Sequence, residues 1–272
     1  MSANAASRAL PAERPTWRTV ALPKEHGGWG LTAEPALLGL LVATGTAGVC
    51  LAAAAMVAFL ARTPLRVVLV DRYRNRWLTR SSMALAILAA EVVVLATLVV
   101  GAQALARGDF WAPVIVAGPL VLVQLGFEAR SKGRRLLPEL AGAVGICSVA
   151  AMIVIADGGD VRLAAGIWMV MAARAVTSIP HVRNQIARLH GRPEQATVAL
   201  IADGASLAAA LGAVLLCRSL AAGAVAIVAV VAVQRVATRL AVPRPAVLGV
   251  RQMAMGFSVV LVTAAGVFAF AR

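Results

Sequence analysis

Five ionisable side chains stand inside otherwise apolar runs: Glu34, Glu91, Glu139, Arg174 and Asp203. A charge in such a setting is costly. It marks either a structural ion pair or a place where a ligand, ion or proton is handled. Glu34 precedes Pro35, and Glu139 follows Pro138. Glu91 has no polar neighbour in sequence, which favours a structural role. Arg174 belongs to a pattern. Arg174, Ser178, His181, Gln185 and Arg188 recur at steps of 4, 3, 4 and 3, which puts them on one face of a helix. Asn184 borders that face, and Arg183 lies beside it. Pro180 bends the helix and releases a backbone carbonyl. The expected product is a polar, cationic stripe leading from the apolar region to its edge. Guanidinium forks of this kind suit carboxylate or phosphate. Arginines that merely snorkel to the surface would also give a stripe, but Arg174 sits deeper than snorkelling needs.

A second dense cluster comprises Arg62-Thr63-Pro64-Leu65-Arg66 and Asp71-Arg72-Tyr73-Arg74-Asn75-Arg76. Here Asp71 is expected to pair with Arg74 or Asn75 along a helix. A third feature is His26-Gly27-Gly28-Trp29-Gly30, in which His26 could act as a ligand, proton carrier or anion donor. Trp29 suits a membrane interface. The candidate ligand-binding residues are therefore His26, Glu34, Arg62, Arg66, Asp71, Arg72, Asn75, Glu139, Arg174, Ser178, His181, Arg183 and Asn184. None is assigned a catalytic role. There is no Walker loop, nucleophile elbow, HExxH, CxxCH or dinucleotide fingerprint. Cys50, Cys147 and Cys217 are widely spaced in apolar stretches and read as small buried hydrophobes, not as disulfide or zinc partners.

The elements that must position these groups follow from composition. Of the 272 residues, 61% are hydrophobic and 14% charged, far from the balance of a soluble domain. Nine apolar segments span 30–44, 46–62, 82–102, 110–127, 136–156, 161–180, 194–217, 219–236 and 252–271. Most approach the roughly 20 residues that cross a bilayer. The first two are short and joined by Gly45 and Thr46, so they form a tight hairpin or a partly re-entrant pair. The net charge of +14 would suggest nucleic acid in a soluble protein. Here the basic residues sit in short loops, where topology accounts for them, and nucleic acid is not expected. With the N-terminus inside, 21 basic residues fall on the inner side and four on the outer, a strong positive-inside bias. The reading is an all-α, polytopic membrane bundle of about nine helices. The N-terminus is expected in the cytosol and the C-terminus outside. Residues 1–22 are expected as a disordered cytosolic tail, with an interfacial segment around Trp17 to Pro23. Residues 23–272 form a single transmembrane domain.

The segment Pro23-Lys24-Glu25-His26-Gly27-Gly28-Trp29-Gly30, followed by Glu34-Pro35 and Leu38-Gly39, resembles the start of the YwiC-like family of bacterial membrane proteins. Arg62-Thr63-Pro64-Leu65, Pro138-Glu139-Leu140-Ala141-Gly142 and His181-Val182-Arg183 are similar to that family too. This resemblance implies a bacterial plasma-membrane location. More distantly, nine helices with polar clusters in the loops after the second and sixth are similar to the UbiA-type intramembrane prenyltransferases. That likeness implies a UbiA-like architecture and a cavity open to the cytosolic side. Its mouth would be lined by Arg62, Arg66, Arg72, Asn75, Arg174, His181 and Arg183. The family's aspartate-rich motifs are not matched: the first loop has only Asp71, and the second has no carboxylate before Glu194. Hard divalent ions want several oxygen ligands, so magnesium is not favoured and the cofactor is open. The expected ligand is amphipathic and anionic: a prenyl diphosphate, a quinone precursor or a lipid head group. A UbiA-like transferase, a small-molecule or lipid transporter, and a haem or quinone accessory protein remain alternatives. Protein partners are not indicated.

Overall fold

The computed structural model describes residues 17–23, 26–133 and 135–270; the side chain of His26 lies outside that set. A short helix α1 (Trp17–Ala21) precedes nine long ones: α2 (His26–Val42), α3 (Thr46–Tyr73), α4 (Thr79–Leu105), α5 (Trp111–Ala129), α6 (Leu136–Ala156), α7 (Val161–Leu189), α8 (Ala196–Leu216), α9 (Ala221–Ala237) and α10 (Pro245–Phe270). A 3-10 turn, Arg218–Leu220, leads into α9. Eight of these helices are long and apolar enough to cross a membrane. The protein is a polytopic helical membrane bundle, as its hydropathy predicts.

The ninth long helix, α2, has 17 residues, about 25 Å of helix at 1.5 Å per residue. The turn after it lies beside the loop between α6 and α7, where a Cβ on Gly45 would strike the Asp157 carboxylate. Arg107, between α4 and α5, donates its backbone N–H to the Ala156 carbonyl at 2.8 Å. These turns share one end of the bundle. So α2 and α3 form an antiparallel hairpin, with Trp29 of α2 against Phe59 of α3. At the other end, Arg74 reaches Ser131, Asn184 pairs with Gln195, and Arg188 bonds to the Thr238 carbonyl. The loops 74–78, 130–133, 190–195 and 238–244 gather at this second, arginine-rich end.

Small residues make the packing close. α6 runs through the middle of the bundle, against α2, α3, α5 and α7. A Cβ on Gly39 would come within 2.9 Å of Ile153, and one on Gly48 within 2.7 Å of it. Without lipid-excluded water to drive association, close backbone approach supplies the contact energy in membranes. α4 packs on α3 and leaves almost all of its remaining surface exposed. Asp160 caps α7, its side chain accepting from the Leu163 N–H at 3.0 Å.

Two expectations are corrected. The second apolar segment does not end at residue 62. Helix α3 continues through a buried Pro64 to Tyr73, so Arg62, Arg66, Asp71 and Arg72 are helical, not loop, residues. A proline removes one hydrogen bond and bends a helix, and tertiary packing here carries the helix past it. The chain then turns sharply: Asn75 takes the left-handed conformation, φ 51°. Because the helix has ended, Asp71 does not pair with Arg74 or Asn75. Its carboxylate instead accepts from Arg80 Nη2 at 2.7 Å, Arg80 Nε at 3.1 Å and Ser81 Oγ at 2.7 Å, all on α4.

Candidate functional site

The predicted stripe on α7 is real as a face, and it points inward. Arg174, Ser178, His181 and Gln185 are all buried. The spacing of 4, 3 and 4 rotates them onto the side of α7 that meets α2, α8, α9 and α10. Burial of a guanidinium demands a counter-charge and acceptors, and the neighbouring helices supply them. Glu34 of α2 lies 3.5 Å from Arg174 Nη2. The Gln252 backbone carbonyl of α10 accepts from the same nitrogen at 2.5 Å. Arg174 Nη1 donates to Ser178 Oγ, one turn further on. Gly256 leaves the space that the Glu34 carboxylate occupies: a Cβ there would overlap it.

From Ser178 the polar chain continues. Gln234 of α9 donates from Nε2 to Ser178 Oγ at 3.0 Å and reaches Gln252 Oε1 at 3.5 Å. Thr177 Oγ1 lies 2.6 Å from Asp203 Oδ1 of α8 and 3.0 Å from Gln234 Oε1. A hydroxyl has one proton to donate, so it serves these acceptors in turn. Asp203 also forms an ion pair with Arg235 of α9. The sequence flagged Glu34, Arg174 and Asp203 one at a time. It did not single out Thr177, Gln234, Arg235 or Gln252. The signal available was Gln234-Arg235, a polar pair near the end of an apolar helix.

This chain opens into a cleft of about 130 Å³ at the arginine-rich end. Its walls are His181 and Asn184 of α7, Glu194, Ala196, Ala199 and Asp203 at and before α8, and Gln234, Arg235 and Thr238 of α9. Arg188 flanks it: its Nε meets Glu194 at 3.2 Å, and its other nitrogens bond to the Thr238 and Leu240 carbonyls. The charges are therefore mixed, with each carboxylate held against an arginine. Two buried donors in the network have no acceptor, Arg174 Nε and Gln252 Nε2; the buried acceptor Gln185 Oε1 has no donor.

The Arg62–Arg76 cluster is built elsewhere. Arg62 Nε donates to Glu128 Oε1 of α5 at 2.6 Å. Gln124 joins them once its amide is oriented so that its oxygen accepts from Arg62. Asp71 is tied to α4. Arg66 is half-buried on α3, while Arg72 and Asn75 are exposed. None of these five lines the cleft. Glu139, at the start of α6, meets Arg183 at 2.8 Å, and Asn184 exchanges hydrogen bonds with the Gln195 backbone. Glu91 of α4 has one carboxylate oxygen buried and unpartnered. His26 opens α2, and its imidazole is outside the described set. Among the described residues, no three His, Cys, Asp or Glu side chains gather as metal ligands.

The family model described as YwiC-like protein matches residues 22–154. The stretch contains Glu34 and the whole Arg62–Arg76 cluster. The cleft residues on α7, α8 and α9 lie after it. No curated protein and no solved structure matches the chain.

Proposed function

We propose, from the YwiC-like character of residues 22–154 and the polar seam between α2 and α7–α10, that this chain is a plasma-membrane protein that binds an amphipathic anionic ligand from the cytosolic side. The arginine-rich end is the cytosolic one, by the positive-inside bias. The ligand class is a prenyl diphosphate, quinone precursor or lipid head group. One observation carries the reading: a hydrogen-bonded chain runs from the cleft to a buried arginine whose Nε, with Gln252 Nε2, lacks an acceptor. Buried donors without acceptors are rare and call for an explanation. An oxyanion is the natural complement of a guanidinium. Glu194 and Asp203 stand against Arg188 and Arg235, where a ligand's own anionic group would compete. A volume of about 130 Å³ is well below the roughly 300–1,000 Å³ of a pocket that encloses a whole drug-sized ligand. It suits a head group, with the tail along the lipid-facing helices, which is the reason for an amphipathic ligand.

The reading is tested by thermal unfolding of the detergent-purified protein with geranyl diphosphate, and by mass spectrometry of copurified lipids. Stabilisation that disappears in Arg235→Gln and His181→Ala is the expected result. No shift and no copurified anionic lipid or quinone would count against it.

A second reading, transport of a small solute, is favoured by the depth of the Glu34–Arg174 pair. Flux in proteoliposomes that depends on Glu34 would select it over simple binding.

A further inference from the structure

We infer that the tip of the α3–α4 hairpin, joined to the loop between α5 and α6, forms a docking surface for the head groups of anionic phospholipids, separate from the cleft. The two loops are one surface because Arg74 Nη2 donates to Ser131 Oγ at 3.1 Å. Both turn through a left-handed residue, Asn75 (φ 51°) and Ser131 (φ 56°). Local bonds hold each turn. The Arg76 N–H reaches the Asp71 carbonyl at 2.9 Å, and the Lys132 N–H reaches the Phe127 carbonyl at 2.8 Å. Trp77 Nε1 donates to Ser82 Oγ at 3.0 Å. The surface is thus preformed.

Its charge is not balanced. Arg72, Arg74, Arg76, Arg130, Lys132 and Arg135 are exposed. The carboxylates nearest to them in the chain are already taken, Asp71 by Arg80, Glu128 by Arg62 and Glu139 by Arg183. Among the described residues, none of the six cations is in an ion pair. Topology alone asks for basic loops, but not for two of them linked into one preformed face from which the acidic groups have been withdrawn.

The depth of the face selects the partner. Tyr73 is 66% exposed and Trp77 54%, and both sit within the run of arginines. Exposed Trp and Tyr at the end of a membrane bundle mark head-group level. At that level the neighbouring anions are lipid phosphates, and clustered Lys and Arg favour anionic head groups. The flexible reach of an acidic protein tail would not require two interfacial aromatics.

The test is native mass spectrometry of the full chain released from mixed phosphatidylglycerol and phosphatidylcholine. Wild type should retain phosphatidylglycerol preferentially. Arg72→Gln with Arg74→Gln and Arg76→Gln should lower that preference about ten-fold or more, while Arg162→Gln, an exposed arginine at the opposite end of the bundle, should leave it unchanged. Should the triple variant not fold, Arg130→Gln with Lys132→Gln and a salt series on wild type replace it. Raising salt from about 50 mM to about 500 mM shortens screening to a few ångströms and should erode the preference. Equal retention of both lipids, a preference insensitive to the arginine changes at the tip, or a preference lost with Arg162→Gln alone would overturn the assignment. So would retention of poly-glutamate in place of phosphatidylglycerol, which would give the surface to an acidic peptide.

Discussion

Glu34 and Arg174 lie 140 residues apart in sequence and 3.5 Å apart in the fold, with both side chains almost wholly buried. α2 supplies the anion and α7 the cation. Gln252 of α10 and Ser178 accept from the two terminal nitrogens of Arg174, and its Nε is left without an acceptor. Breaking one side of such a pair strands a buried charge, which costs about 3–5 kcal/mol. Arg174→Met or Glu34→Leu alone should therefore lower stability on that scale in detergent. The double variant should recover most of the loss, because two apolar side chains leave no charge unpaired. Losses that simply add would show that the two residues are not coupled.

Gly256→Ala should destabilise, because its methyl would overlap the Glu34 carboxylate. Overpacking of this kind costs about 1–3 kcal/mol. Gly249→Ala on the same helix meets nothing within 4 Å and should be neutral or stabilising by up to about 1 kcal/mol. The unfolding midpoint of Gly256→Ala should fall clearly below that of Gly249→Ala; equal midpoints would mean that Glu34 is not held against α10.

Asp71→Ala should loosen the α3–α4 hairpin tip without unfolding the bundle. It removes the acceptor shared by Arg80 and Ser81 and leaves the arginines 72–76 on a freer turn. Limited trypsinolysis reads this directly. Cleavage within 72–76 should be faster in Asp71→Ala than in wild type, and Asp71→Asn should fall between them. Unchanged cleavage rates would show that the clip does not hold the turn.

Orientation is tested by thiol labelling in intact cells, with Cys50, Cys147 and Cys217 replaced by Ala. A cysteine at Asp109 should react with an impermeant maleimide from outside, and one at Ser131 only after the cells are opened. The reverse pattern would put the arginine-rich end outside and remove the basis for a cytosolic entrance.

Much of the architecture was legible in the chain. Nine apolar runs separated by polar turns correspond to α2–α10, and the step pattern from Arg174 to Arg188 is a true helix face. Where the reading erred, the cause was local. Pro64 and the arginines around it suggest a loop, yet α3 continues to Tyr73 because its flank is packed and Pro64 itself is buried. The same extension sent Asp71 to Arg80 and Ser81. Gln234 and Gln252 attracted no attention because an uncharged amide is not conspicuous in a sequence, although between helices it needs partners as much as a charge does.

What the sequence determined by itself is what local physics determines. Backbone groups inside a bilayer must bond within their own helix, so hydropathy alone sets the number and approximate ends of the spans. The i, i+3 and i+4 geometry alone sets which side chains share a face. What only the tertiary structure decided is which faces meet. That choice depends on which small residues let helices approach closely: Gly39 and Gly48 against Ile153 of α6, and Gly256 against Glu34. No spacing within one helix encodes it. It joined Glu34 to Arg174 and Asp203 to Arg235, and it gave the arginines of α3 to the opposite side of α6 from the cleft.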